Sequence, residues 1–471
     1  MTKGIRNIAL IMVFSFVFLS LGLAYWQVVN ADTMLDNPAN RRAVFLEKRI
    51  TRGSIYDRNG VVLAKTVGTG ENKFREYPLG EMFQPLIGYA TVQYGSAGLE
   101  ATEAETLLGI NDKSILRKIQ NTFELKRTGN DVVLTLDARL QETAYEGLKG
   151  KTGAVVAIDP QNGDVLALVS QPSYDATTLE AEWDAILARQ NSPLLNHAFS
   201  LFPPGSTMKI VTSGAIFRAG LDTTELFKCE GKTVINGQTI PEQNGKVHGW
   251  VNYDLALAYS CNTYFAQYGI KAGAQNFLKA LSDFGFGQDI PFELYVPPSS
   301  VTNEDPLPQT LGANLLASSA FGQGEVMVSP FHMALITAGV ANNGKIMAPH
   351  LIDSVLDSKQ NRIYKRTPEI WLSPLSESNA EIIKSGMILA VNKGSAAPGA
   401  LPDVQVAAKT GSAETGGNED THAWYVAFAP ADDPKIAVAV LVEHGGTGSG
   451  AAAPIAKAVI EKALELREGE N

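Results

Sequence analysis

Ser206-Thr207-Met208-Lys209, Ser260-Cys261-Asn262 and Lys409-Thr410-Gly411 stand in that order along the last three fifths of the chain. Between them they hold the parts of an acyl transfer. A serine hydroxyl is a weak nucleophile at neutral pH and needs a base within hydrogen-bond reach to take its proton as it attacks. Lys209 is that base if Ser206 opens a helix, because residues three apart share a helix face and the ammonium folds back onto the Ser206 oxygen. Pro203, Pro204 and Gly205 just ahead fit such a start. A free lysine titrates near ~10.4, so the role requires burial or a neighbouring cation to lower that value. Lys409 is the expected cation.

Ser-x-x-Lys and Ser-x-Asn each occur once in the 471 residues, which makes the pair more informative than either pattern alone. Lys-Thr-Gly occurs twice. Lys151-Thr152-Gly153 precedes Ser206 and leads into Ala154-Val155-Val156-Ala157-Ile158, a core strand, so it is a coincidence of letters. The second copy follows Val404-Gln405-Val406-Ala407-Ala408 and precedes Ser412-Ala413-Glu414, an edge strand beside a cleft.

The elements that must position these groups alternate between strand and helix. Residues 153–158 and 165–169 form a hairpin across the turn-rich Asp159-Pro160-Gln161-Asn162-Gly163-Asp164. Residues 404–408, 423–428 and 436–442 supply three more strands, and 452–467 a closing helix. Upstream, Arg58-Asn59-Gly60 sits between two short apolar runs as a hairpin turn, and residues 103–125 have the mixture expected of short helices. Residues 132–136 read as a strand, after which Asp137 caps a helix through Leu148. Trp424 and Gly416-Gly417 read as packing and turn residues, and Gly445 to Gly450 as a mobile loop near the cleft.

Residues 8–29 carry no charge and are rich in Ile, Leu, Val and Phe, long enough to cross a bilayer as a helix. Lys3 and Arg6 precede them, which places the amino end in the cytoplasm, while Tyr25 and Trp26 suit the far interface. The run exceeds a signal-peptide core and no small-x-small cleavage site follows, so the expectation is an uncleaved anchor. With 45% hydrophobic and 19% charged residues, the remainder is ordinary globular material, enough for two or three domains. A net charge of -10 argues against a nucleic-acid partner. No internal repeat, phosphate loop or dinucleotide fingerprint is present, so no cofactor is indicated.

With its three motifs, the chain resembles the penicillin-recognising serine transferases, whose pattern is Ser-x-x-Lys, Ser-x-Asn, Lys-Thr-Gly. Phe202-Pro203-Pro204-Gly205-Ser206, Ala320-Phe321-Gly322-Gln323-Gly324 with Ser329-Pro330, and His422-Ala423-Trp424-Tyr425-Val426-Ala427-Phe428-Ala429-Pro430 look like that transpeptidase domain, over roughly residues 150 to 466. Arg52-Gly53-Ser54-Ile55-Tyr56-Asp57-Arg58-Asn59-Gly60 looks like the entry segment of class B penicillin-binding proteins, monofunctional transpeptidases with a non-catalytic pedestal. The resemblance implies an α+β multidomain chain. Residues 1–7 would be a cytoplasmic tail, 8–29 the transmembrane anchor, 31–137 a small pedestal, and 138–471 a transpeptidase domain of β-lactamase/D,D-peptidase type. That domain has a five-stranded antiparallel sheet flanked by helices plus a helical subdomain carrying Ser206 and Ser260.

The resemblance also implies roles. Ser206 would attack the penultimate D-alanine of a peptidoglycan stem peptide, with Lys209 as base and Ser260 relaying a proton to the leaving nitrogen. Asn262 would hold the substrate amide, and Lys409, Thr410, Gly411 and Ser412 the side of the cleft that receives the terminal carboxylate. Backbone N–H groups of Ser206 and Ser412 would form an oxyanion hole, worth roughly 3 kcal/mol per donor. β-Lactams would be inhibitors. A carboxypeptidase or β-lactamase would use water in place of the second stem peptide, and a non-catalytic reading is an acylated sensor or scaffold. The stretch before residue 150 has no room for a glycan polymerase. The partner that the resemblance implies is a polytopic glycosyltransferase of the shape, elongation, division and sporulation (SEDS) type.

Cys229 and Cys261 are the only cysteines. In an oxidising compartment they permit one disulfide, which would tether a loop to the active-site rim; two buried thiols are the other reading. The six histidines are scattered without paired ligand spacing, so no metal site is expected.

Overall fold

The computed structural model describes residues 3–26, 50–91, 93–110, 127–302, 307–415 and 419–469. Helix α1 (Lys3–Ala24) is the apolar segment. None of its spanning stretch is buried against the protein, and Phe16 and Phe18 are 77% and 81% exposed. Side chains of this kind gain from lipid what they cannot gain from water. Of the expected span 8–29, the last three residues lie outside the described ones, as do 31–49, 111–125 of the expected short helices, and Gly416-Gly417.

Five strands make the central sheet: β1 (Gly153–Ile158), β2 (Val165–Gln171), β3 (Ala407–Ala413), β4 (His422–Ala429) and β5 (Ile436–Val442). Their spatial order is β2-β1-β5-β4-β3, antiparallel throughout. Every residue of β1, β2, β4 and β5 is buried, so these strands read as unbroken apolar runs rather than alternating ones. Helices α2 (Ala138–Leu148) and α8 (Ala453–Glu468) cover one face. Helix α6 (Pro330–Ala341), buried along its whole length, covers the other. The Lys409 strand begins later than expected and contains the motif itself, because pairing with β4 runs from Ala407↔Phe428 to Ala413↔His422. It lies at the sheet edge.

The helical subdomain packs against the α6 face. It includes α3 (Lys209–Arg218), α4 (Tyr253–Ala258), α5 (Asn262–Ala272) and α7 (Glu377–Lys393). Between α3 and α4 the chain makes two small ribbons, Phe227–Cys229 with Gly249–Val251 and Lys232–Ile235 with Gln238–Pro241.

A second, six-stranded sheet lies upstream, and the pedestal does not close it alone. Its order is Arg362–Lys365, Ile352–Leu356, Asp131–Leu134, Ile55–Tyr56, Val62–Val67, Phe74–Glu76, so two strands come from far downstream. The entry segment is the joint. Asp57 Oδ1 accepts from the backbone N–H of Asn59 and Val61, both at 2.8 Å, and Asp57 Oδ2 accepts from Ala138 N at 3.1 Å. Asn59 Nδ2 donates to Asp137 Oδ2 at 3.0 Å, while Asp137 caps α2 by accepting from Arg139 N. One polar turn thus closes the hairpin and starts the helix.

Candidate active site

Ser206 lies in a 3-10 turn, Gly205–Met208, that runs straight into α3. The turn is held from several sides. Trp424 Nε1 donates to Pro203 O at 2.9 Å and Thr207 Oγ1 to Pro204 O at 2.8 Å. Trp424 is fully buried, which makes it a support beneath the turn rather than a contact surface. Gly322 takes φ +86°, and a Cβ there would fall 1.7 Å from Gly205 O, so only glycine lets the two backbones meet. A Cβ on Gly205 would come within 2.9 Å of Ser412 O, which puts the Ser206 turn directly beside the edge strand.

Lys209 is the hub. Its Nζ is 2.9 Å from Ser206 Oγ, 3.1 Å from Ser260 Oγ, 2.7 Å from Ser260 O and 2.7 Å from Asn262 Oδ1. Lys409 Nζ approaches the same Ser260 Oγ from the other side at 2.8 Å and donates also to Thr410 O at 2.8 Å. Both lysines are completely buried. Burial pushes Lys209 down to about 8, against the opposing pull of Glu242 and Cys261. Lys409 is held well below its ordinary value, first by burial and then by the Lys209 charge. Of the two expected routes to a lowered Lys209, burial and a nearby cation, loss of solvent is the one that acts, and repulsion between the pair is expressed on Lys409.

Ser260 has φ +60°, a left-handed backbone that an ordinary side chain adopts only under constraint. The constraint is the end of α4, where Ser260 N donates to Leu257 O at 3.2 Å and Cys261 N to Ala256 O at 2.8 Å, and the next turn is held by Glu242, a residue that sequence spacing gave no reason to select. Its carboxylate accepts from Asn262 N at 2.9 Å and Thr263 N at 2.7 Å, satisfying the first turn of α5. Burial pushes Glu242 up, but these N–H bonds and Lys209 outweigh it and hold the carboxyl low. Asn262 is half-buried and faces Lys209, while the Thr410 hydroxyl is paired with Ser395 Oγ at 2.7 Å. Ser395 is a second unanticipated member. Gly411 packs close under the Ser206 turn, and Gly448 lies against Gly411 O and Trp424 O, where a Cβ would be 2.7 and 2.0 Å away. The glycine-rich stretch read as a loop is in this part a packed turn, Gly448–Ala452.

Of the two cysteine readings the structure has the second, and the expectation that no ligand cluster forms needs correction. Cys229 and Cys261 are not bridged; both are buried free thiols, pointing at Glu242 Oε1 from 3.6 and 3.2 Å. A ligand cluster does exist: Cys229, Glu242, His248 and Cys261 bring their donor atoms within 4.8 Å of one another. Linear spacing hid it because the two ribbons fold the four positions together.

Residues 153–461 match the penicillin binding protein transpeptidase domain, and residues 52–132 the penicillin binding protein A dimerisation domain. Peptidoglycan D,D-transpeptidase PbpA of Mycolicibacterium smegmatis is 34% identical over 502 residues, covering 100% of both chains. PbpA of Mycobacterium tuberculosis is 34% identical over 496 residues, 99% of each. The solved structure of penicillin-binding protein A from M. tuberculosis as a penicillin G acyl-enzyme complex matches with a TM-score of 0.80 at 34% identity, over 88% of this chain and 99% of that one. A hydroxyl in direct contact with a desolvated amine, and a second serine linking that amine to another, are what acyl-enzyme chemistry requires, and with these matches the chain belongs to the class B penicillin-binding protein transpeptidases.

Proposed function

We propose that this protein is a membrane-anchored peptidoglycan D,D-transpeptidase that cross-links stem peptides through an acyl-enzyme on Ser206 and is inhibited by β-lactams. The observation that carries the reading is the unbroken path from Ser206 Oγ through Lys209 Nζ and Ser260 Oγ to Lys409 Nζ, with links of 2.9, 3.1 and 2.8 Å. Lys209, as the free amine, takes the Ser206 proton while Oγ bonds to the carbonyl carbon of the penultimate D-alanine. The negative charge passing onto the carbonyl oxygen is met by the backbone N–H groups of Ser206 and Ser412. Collapse breaks the C–N bond, and Ser260 gives its proton to the departing D-alanine nitrogen while taking back from Lys209 the proton that came from Ser206, which leaves Lys209 a free amine again. The amine of a second stem peptide then attacks the ester and returns the proton to Ser206. Asn262 orients the substrate amide, and Lys409, Thr410 and Ser412 receive the terminal carboxylate. Gly411 lets the substrate strand lie close to the edge strand.

In this reading residues 8–29 anchor the chain, with the amino end cytoplasmic and the pedestal and catalytic head outside. The pedestal and anchor are the surfaces that would meet a polytopic SEDS-type glycosyltransferase; the support is the family resemblance. Incubating the full chain in detergent with a glycan polymerase and its lipid-linked precursor, followed by muropeptide analysis, tests the reaction. Cross-linked dimers that vanish in Ser206→Ala are expected. Monomers trimmed of one D-alanine, without dimers, would overturn transpeptidation in favour of a carboxypeptidase.

A further inference from the structure

We propose that a cavity at the joint between pedestal and head binds the carboxyl-terminal end of a short peptide, with the carboxylate on Arg366 and a chain N–H group on Glu103. The cavity holds about 510 Å³, a size usual for small-ligand sites, and shares no lining residue with the Ser206 cleft. Glu103, Thr106 and Asn130 reach it from the pedestal, and Phe292, Val355 and Arg366 from the head. Its walls are tied down by the backbone. Glu293 accepts from Leu351 N and Ile352 N at 3.0 Å, Arg366 N donates to Asp353 O at 2.9 Å, and Asn130 N to Thr106 O at 3.4 Å.

Arg366 is the group in this cavity without a counterpart. Its Nε is buried and meets no acceptor, and among the described residues neither Glu103 nor Glu293 pairs with it, although all three line the same space. A buried donor left unmet raises the free energy of the empty site, and a ligand that meets it lowers that energy. The Nε edge of a guanidinium presents two parallel N–H groups, which a carboxylate or a phosphate fills bidentately. The opposite charges on the wall choose between these anions. Glu103 and Glu293 repel a dianion, whereas a carboxylate carries one charge and brings N–H groups behind it. Glu293 is occupied by backbone, so Glu103 is the acceptor left for such a group. Burial and the Glu293 charge push the Glu103 carboxyl up, against a hydrogen bond to Thr106, as expected of a carboxyl that lacks a cation.

Apolar surface sets the rest of the ligand. Phe292, Ile352 and Val355 line the cavity, and Ile363 and Tyr364, each 45% exposed, add apolar surface open to solvent. The Asn130 side chain supplies both a donor and an acceptor, as a peptide bond needs. One carboxylate, amide groups behind it and small apolar side chains between them describe a peptide end better than a sugar or a nucleotide. Stem peptides ending in D-alanine belong to this class, an identification that rests on the transpeptidase reading; the Arg366 site itself does not. Because pedestal and head both line the cavity, an occupant touches each and stiffens the joint between them.

The full chain in detergent, kept with excess benzylpenicillin to fill the catalytic cleft, is titrated with diacetyl-L-lysyl-D-alanyl-D-alanine by isothermal calorimetry. Saturable binding at one site per chain is expected, weakened about tenfold or more in Arg366→Gln through loss of a bidentate charged contact. Circular dichroism confirms that this variant is folded. A second readout needs no variant, since the same peptide with its carboxyl terminus amidated should bind wild type as weakly as the acid binds Arg366→Gln. The drug adduct on Ser206, followed by mass in the same samples, reports on the transpeptidase reading separately, and the Arg366→Gln difference is read whether or not that adduct forms. Absence of saturable binding to wild type would overturn the proposal, as would equal affinity in Arg366→Gln or for the amidated peptide.

Discussion

At the scale of single residues, the site is a contest between two buried amines for one serine oxygen. Lys209 and Lys409 stand 3.1 and 2.8 Å from Ser260 Oγ, and neither has bulk water to stabilise its charge. The base form of Lys209 is the reactive one, and its pKa of about 8 sets the direction of the pH dependence. Below that value the amine is protonated and the acylation rate rises about tenfold per pH unit; above it the rate levels off. Stopped-flow acylation by a fluorescent penicillin from about pH 6 to about pH 10, roughly two units to either side of that value, measures this. Lys209→Ala should slow acylation by roughly 10²–10⁴-fold, the usual cost of losing a general base, with the folded state intact by circular dichroism. The motif residues were legible because their chemistry is written in fixed short spacings. Glu242 and Ser395 were not, since each reaches the site through tertiary contacts with Asn262, Thr263 and Thr410 that no local pattern encodes.

At the scale of elements, close backbone packing and buried charge decide where the motifs sit. Gly322 is the clearest case. A methyl group there meets Gly205 O at 1.7 Å and the backbone stays at φ +86°, so Gly322→Ala should cost about 1–3 kcal/mol in strain and displace the Ser206 turn. The check is a slower penicillin acylation rate in a variant that still melts cooperatively. In the pedestal, Glu100 is fully buried between two guanidinium groups, 2.6 Å from Arg52 Nε and 2.7 Å from Arg75 Nε. Burial pushes its carboxyl up, yet Arg75 and Arg52 outweigh that and hold it below its ordinary value. The ionised form therefore stabilises the fold above the ordinary carboxylate pKa, and that contribution is lost as pH falls through the lowered one. Glu100→Gln should lose about 3–5 kcal/mol by denaturant titration at neutral pH, because it leaves two buried cations without their counter-charge. Arg52 was legible as part of an entry segment, whereas its partner Glu100, 48 positions on, was not. Likewise, strands buried on both faces gave their positions as apolar runs but not their register, so the start of β3 was misjudged while its place at the edge was read correctly.

At the scale of the whole molecule, pedestal and head are fastened by shared structure rather than by a linker. The upstream sheet takes Ile352–Leu356 and Arg362–Lys365 from the head, and the Asp57 turn binds the start of α2. A chain cut at Asp137 would leave those strands without Asp131–Leu134 and expose the buried Val355 edge. Calorimetry should show one cooperative transition for the chain without α1, and a lower midpoint with aggregation for the head alone. The order of elements and the apolar N-terminal helix were readable from composition and periodicity; the crossing of the sheet was not, because pairing between residues more than 200 positions apart leaves no local trace. The account as a whole rests on Ser206 as the nucleophile. Intact mass of the chain without α1 after exposure to benzylpenicillin, beside Ser206→Ala, tests that most directly. A single stable adduct of the drug's full mass on wild type and none on the variant is the predicted result, whereas an unmodified, well-folded wild type, or an adduct that survives in Ser206→Ala, would contradict it.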